Sequence, residues 1–235
     1  MYYKIFSIDD RRAHYTRAIQ EAVADWTPAH TPTINGLDDK HLKGVMSEFD
    51  DIAINAEFTV GQLGIWYSVL CALEWVDYEK VPLVTFEDDA ILDPRFTDRF
   101  GFLKTDIPED CDFLSLFIPR DYKQKYYYGT VLDTEGRILA ENMGLTGGAQ
   151  WHTENPWIKR AYQRYGGVCM YYTPQGAERI LDLVEKTGLT DQYDDYLYRH
   201  SRLGNLNGYT LHPRTPDMVW ITGTEDSIVQ NSPLY

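Results

Sequence analysis

The sequence predicts an α/β fold: one domain over residues 1–235, with a mostly parallel central sheet flanked by helices. Three observations lead there. Short apolar runs alternate with longer stretches at helical spacing. The first such run, residues 3–8, passes at once into a helical segment. The strand-like run Val81-Pro82-Leu83-Val84-Thr85-Phe86 stops abruptly at the carboxylates Glu87-Asp88-Asp89.

The elements follow in order. Tyr3-Lys4-Ile5-Phe6-Ser7-Ile8 reads as a short buried strand broken by Asp9-Asp10-Arg11-Arg12. Tyr15, Ala18, Ile19, Ala22 and Val23 then recur at helical spacing over residues 14–24. Residues 27–51 carry Pro28, Pro32, Gly36 and Gly44 and read as irregular or mixed. Thr59 opens a helix that runs through Trp66, Val69, Leu70 and Leu73 to about residue 76. After the strand at 81–86, a helix is expected over 95–103 and a buried strand over 112–118. Residues 119–155 read as loop and hairpin. Residues 167–172 read as a strand, and Thr173 caps a helix from Pro174 to about 186, with proline at the first helical position. A last strand is expected over 208–211, before a Pro- and Thr-rich tail. The chain shows no internal repeat and no linker.

Composition narrows the function classes. A formal net charge of −14 opposes broad, nonspecific nucleic-acid binding, which depends on Lys and Arg contacts to phosphate, but leaves room for a local basic groove. No apolar run approaches the roughly 20 residues that span a bilayer, and the first residues lack the pattern of a secretion signal. Three widely spaced cysteines fit a reducing compartment rather than a disulfide framework. The expected location is cytoplasmic, with contact to the inner membrane face only through a substrate.

Glu87-Asp88-Asp89 is the most informative spot. Three carboxylates after an apolar strand crowd negative charge where α/β proteins bind ligands. Such crowding is unfavourable unless a cation neutralises it, and oxygen donors suit Mg²⁺ or Mn²⁺. A solvated acidic turn is the plainer alternative.

The flanking order resembles glycosyltransferase family 25, the lipopolysaccharide and collagen galactosyltransferase type. The carrying segments are Thr59-x-Gly61-x-Leu63-Gly64 with Ser68, then the apolar strand and Glu87-Asp88-Asp89. Ser7-Ile8-Asp9 with Arg12, Ile34-Asn35-Gly36, Gly166-Gly167 through Tyr171, Thr173-x-x-Gly176-Ala177, Asp194-Asp195-Tyr196-Leu197, and Pro213 with Asp226-Ser227-Ile228 fall in the same order. Ile65 stands where the family has Cys, and Val69 where it has His.

The resemblance implies a GT-A-like domain, with a donor-binding part over about residues 1–118 and an acceptor-side part over about 119–235. The implied reaction moves a sugar from a nucleotide-sugar to an acceptor hydroxyl, with Mn²⁺ or Mg²⁺ and with inversion. Asp89 and Glu87 are the implied metal ligands, joined by His212. The implied donor-binding residues are Ser7, Asp9, Arg11, Arg12, Gly64, Ser68, Glu87 and Asp88. Asp194 and Asp195 are the candidate catalytic bases, and the alternative, favoured by Asp191 close by, is an exposed acidic helix face.

Trp151, His152 and Tyr127 are candidate acceptor-binding residues. Trp157 and Tyr126 to Tyr128 stand with them, and Lys123, Lys125, Lys159, Arg160 and Arg164 supply local positive charge; a packed loop is the alternative. Gly144 to Gly148 reads as a lid or a turn. The best-supported acceptor is a saccharide of lipopolysaccharide type, and a hydroxymethylated base in bacteriophage DNA stays open as a second class. Rival readings are a noncatalytic nucleotide-sugar or glycan binder of the same fold, and a metal-dependent nucleotide hydrolase.

Overall fold

A computed structural model describes residues 1–8, 13–117, 157–161, 166–211 and 215–221. Its strands are β1 (Tyr2–Phe6), β2 (Thr27–Pro28), β3 (Leu83–Glu87), β4 (Ala90–Leu92), β5 (Phe113–Ser115), β6 (Ile158–Arg160), β7 (Cys169–Tyr172), β8 (Gly208–Leu211) and β9 (Val219–Ile221). Its helices are α1 (Ala13–Ala22), α2 (Asp39–Met46), α3 (Val60–Glu79), α4 (Phe96–Lys104), α5 (Pro174–Thr187) and α6 (Tyr193–Arg202).

The α/β class holds, and the central sheet is mixed. Its order is β2-β1-β3-β7-β5-β8-β6. β1 runs parallel to β2 and β3, and β5 parallel to β8. β7 runs antiparallel to both β3 and β5, and β6 antiparallel to β8. Five of the seven strands (β2, β1, β3, β5 and β8) run in one direction, as expected of a mostly parallel sheet, and β7 and β6 run against them. β4 and β9 form a separate antiparallel pair.

The chain leaves β1 outward to β2, then returns through α2 and α3 to β3 on the other side of β1. The connections therefore diverge from β1, which places a crevice between the carboxyl ends of β1 and β3. In α/β sheets ligands bind at such switch points.

Local signals explain the helix starts. Thr59 and Gln62 form a reciprocal capping box at α3, each side chain bonded to the other's backbone N–H. Thr173 accepts from Gly176 N–H at 2.9 Å, and Pro174 opens α5. α2 lies inside the segment expected to be irregular or mixed. Asp38 caps it by accepting from His41 N–H at 3.1 Å, and Leu42 and Val45 supply its buried face.

α3 is buried on nearly every side, which is why its sequence shows little amphipathic contrast. It packs against α5 and α6 and meets Tyr2 of β1 through Trp75. Strand alternation sends Phe86 and Tyr171 to the opposite face. There they meet Phe96 and Phe100 of α4, which also pack at a tilt against Trp26. Among the described residues no helix is long and apolar enough to cross a membrane.

Candidate functional site

The carboxylate turn follows β3, an interior strand rather than an edge strand. Phe6, the last residue of β1, pairs with Glu87, so Ser7 leaves β1 beside the turn. The amide of Glu87 donates to Val168 O at 2.9 Å, which extends the β3–β7 ladder to Val168. The turn thus sits in the β1/β3 crevice that the topology creates.

α6 brings a fourth carboxylate. Asp194, in its first turn, is buried and acts electrostatically on Glu87. The neighbouring Tyr193 donates its hydroxyl to Glu87 Oε1 at 3.0 Å. Glu87 keeps some surface, yet protein crowds its carboxyl and pushes its pKa up to about 8. Loss of solvation is the largest cause, followed by the charge of Asp89; Tyr193 opposes the rise, while Asp194 and Asp88 add to it. Asp88 is buried, as is the Oδ1 atom of Asp89.

This is a cluster of hard oxygen donors with a surplus of negative charge. Its chemistry suits Mg²⁺ or Mn²⁺ rather than a thiolate-binding metal. Among the described residues no three His, Cys, Asp or Glu side chains converge as a cage. Mg²⁺ is usually held by one or two carboxylates plus ligand phosphates, and Glu87, Asp88 and Asp89 are the side chains here that could supply them.

Other expected site residues have structural tasks. The Ser68 hydroxyl is fully buried, accepts from Ile34 N–H at 2.7 Å and donates to Gly64 O at 2.7 Å. A Cβ on Gly64 would stand 2.7 Å from Gly36 N, and one on Gly36 would stand 1.8 Å from Val60 O. Gly64 and Ser68 thus dock the Ile34-Asn35-Gly36 segment on α3 and offer no surface for a donor. Asp195 is half-buried in the first turn of α6, where its charge complements the helix N-terminus.

Lys159 is buried in β6, and loss of solvation lowers its pKa to about 8. Arg160 bonds Asp110 at 2.8 Å and Asn207 at 2.9 Å and lies over the Tyr209 ring. Neither is a loose positive charge beside an acceptor. Trp157 lines a half-open cavity of about 340 Å³ with Phe102, Leu103, Pro216 and Met218, on the α4 side of the sheet. Asp9, Arg11, Arg12, Tyr127, Trp151, His152 and His212 lie outside the described residues, as do Gly144 to Gly148 and Asp226-Ser227-Ile228.

Sequence reading missed Tyr193 and the space that admits it. A Cβ on Gly167 would fall 1.3 Å from the Tyr193 hydroxyl oxygen. The available signal was its position immediately before Asp194. No protein-family model matches the chain, and no curated protein matches it either.

Proposed function

We infer that the chain is a divalent-metal-dependent glycosyltransferase that moves a sugar from a nucleotide-sugar to an acceptor hydroxyl. One observation carries the reading: Glu87, Asp88 and Asp89 occupy the carboxyl end of β3 at the switch point, and Asp194 faces them from α6. The resemblance to glycosyltransferase family 25 supplies the reaction class.

In this reading Asp89 and Glu87 would hold Mg²⁺ or Mn²⁺, which would supply charge neutralisation for a diphosphate leaving group. Asp88 and the chain leaving β1 at Ser7 border the nucleoside. Asp194 takes the proton of the acceptor hydroxyl as its oxygen attacks the anomeric carbon. The bond from that carbon to the diphosphate oxygen breaks, the nucleoside diphosphate leaves, and configuration inverts. Asp194 suits this role better than Asp195 because it is buried on the side of α6 near Glu87, whereas Asp195 is only half-buried. The acceptor is a saccharide of lipopolysaccharide type or a hydroxymethylated DNA base.

Val69, which stands where the resembled family has His, is buried on α3.

The test is thermal shift against nucleotide-sugars with and without Mn²⁺, on wild type, Asp89→Ala and Asp194→Asn. Saturation at 100 times Kd stabilises by about 2.7 kcal/mol. The expected result is one donor whose shift needs metal, disappears in Asp89→Ala and survives in Asp194→Asn, with turnover lost in both variants. No shift with any nucleotide-sugar overturns the reading. A shift without transfer to any saccharide or modified DNA favours the noncatalytic binder.

A further inference from the structure

The geometry points to Tyr193 as a positioning residue that fixes the Glu87 carboxylate and ties the helix carrying Asp194 to the carboxylate turn. The inference deepens the site proposed above and rests on that reading for its consequence, though not for its geometry.

Three features converge on this side chain, and a fourth anchors the chain just before it. Tyr193 is buried and donates to Glu87 Oε1 at 3.0 Å across 106 positions of sequence. Gly167, next to Val168 of the β3–β7 ladder, leaves the space the hydroxyl occupies, since even a methyl group there would overlap it. Trp66 of α3 meets the Tyr193 ring edge-on at 6.3 Å between centroids. The indole Nε1 of Trp66 also donates to Asp191 O at 2.8 Å, which anchors the chain just before α6.

The start of α6 is therefore held at two points, by Trp66 at Asp191 and by Glu87 at Tyr193. Gln192 makes no side-chain cap bond, so local capping does not set this geometry. A carboxylate beside Asp88, Asp89 and Asp194 is repelled from every acidic neighbour. A single aimed donor gives it one preferred orientation. Groups that orient metal-binding carboxylates in this way typically account for 10- to 100-fold in metal affinity.

The test compares wild type with Tyr193→Phe, which removes one oxygen, and with Gly167→Ala, which keeps the hydroxyl but displaces it. Two readouts are taken. One is backbone amide hydrogen exchange over residues 86–90 in metal-free protein. The other is binding of Mn²⁺ alone, followed by electron paramagnetic resonance of the free ion. Tyr193→Phe is expected to speed exchange at the turn and to weaken Mn²⁺ binding by 10- to 100-fold. Gly167→Ala is expected to reproduce both changes, and the double variant to be no worse than the worse single one, since both act through the same bond.

Unchanged exchange in Tyr193→Phe overturns the inference, whatever happens to Mn²⁺. Additive effects in the double variant overturn the linkage through Gly167. Faster exchange in a protein whose wild type binds neither Mn²⁺ nor a nucleotide-sugar upholds the positioning of Glu87 while removing the transferase reading. Faster exchange with unaltered Mn²⁺ affinity upholds it too, and removes Glu87 from the ligand set.

Discussion

Glu87 should make the protein less stable as pH rises, the reverse of an ordinary carboxylate. Burial and the charges of Asp89, Asp194 and Asp88 move its pKa from 4.5 to about 8. An acid whose folded pKa is raised binds more protons folded than unfolded between those two values. Its contribution to stability is then lost as pH climbs from 4.5 through 8. The full displacement corresponds to about 5 kcal/mol, and the part falling between pH 5 and pH 9 to about 4 kcal/mol. Relaxation of the turn and entry of water would reduce this to a few kcal/mol.

Glu87→Gln keeps the shape and an acceptor for Tyr193 but cannot ionise. Urea denaturation of both proteins from pH 5 to pH 9 isolates the effect of Glu87 and the carboxylates beside it, because groups remote from Glu87 cancel in the difference. The variant should match or trail wild type at pH 5 and exceed it by a few kcal/mol at pH 9. Saturating Mn²⁺ should narrow the gap at pH 9, since a cation favours the ionised carboxylate. Parallel stability profiles across that range would show that Glu87 ionises normally, and the argument from crowded carboxylates would fall.

Three further outcomes are expected. Ser68→Ala leaves the buried Ile34 N–H without its acceptor, so it should cost about 1–3 kcal/mol in chemical denaturation while leaving nucleotide-sugar affinity at the wild-type value. Gly176→Ala places a methyl group 1.9 Å from Asp112 O, a backbone atom, and should lower stability by on the order of 3 kcal/mol, read as a fall in Tm. Burial, the largest cause at each thiol, raises the pKa of Cys71 to about 11 and raises those of Cys111 and Cys169 as well. Ellman's reagent at pH 8 should therefore react slowly with native protein and fully with all three thiols in guanidinium, and a fast thiol in the native state would contradict the packing around them.

Much of the fold is written locally. Thr59 with Gln62, and Thr173 with Pro174, announce their helices through bonds to neighbouring N–H groups. The apolar runs at 83–86, 113–115 and 169–172 announce buried strands because each is short and fully covered. α2 was equally local, capped by Asp38, but prolines and glycines around it obscured a short helix. The acidic turn was legible because three adjacent carboxylates after a strand are costly without a partner.

What the sequence by itself determined is therefore the α/β class, most helix starts and the carboxylate turn, all set by interactions within a few residues. Tertiary structure decided the rest. Whether β7 joins β3 in parallel or antiparallel depends on hydrogen bonding between strands more than 80 residues apart, which no local pattern encodes. That choice brings Gly167 beside the turn, and the return of α6 brings Tyr193 and Asp194 to Glu87. The same contacts place Ser68 under the Ile34 segment and Lys159 inside the sheet, because burial is a property of what surrounds a side chain rather than of its neighbours in sequence.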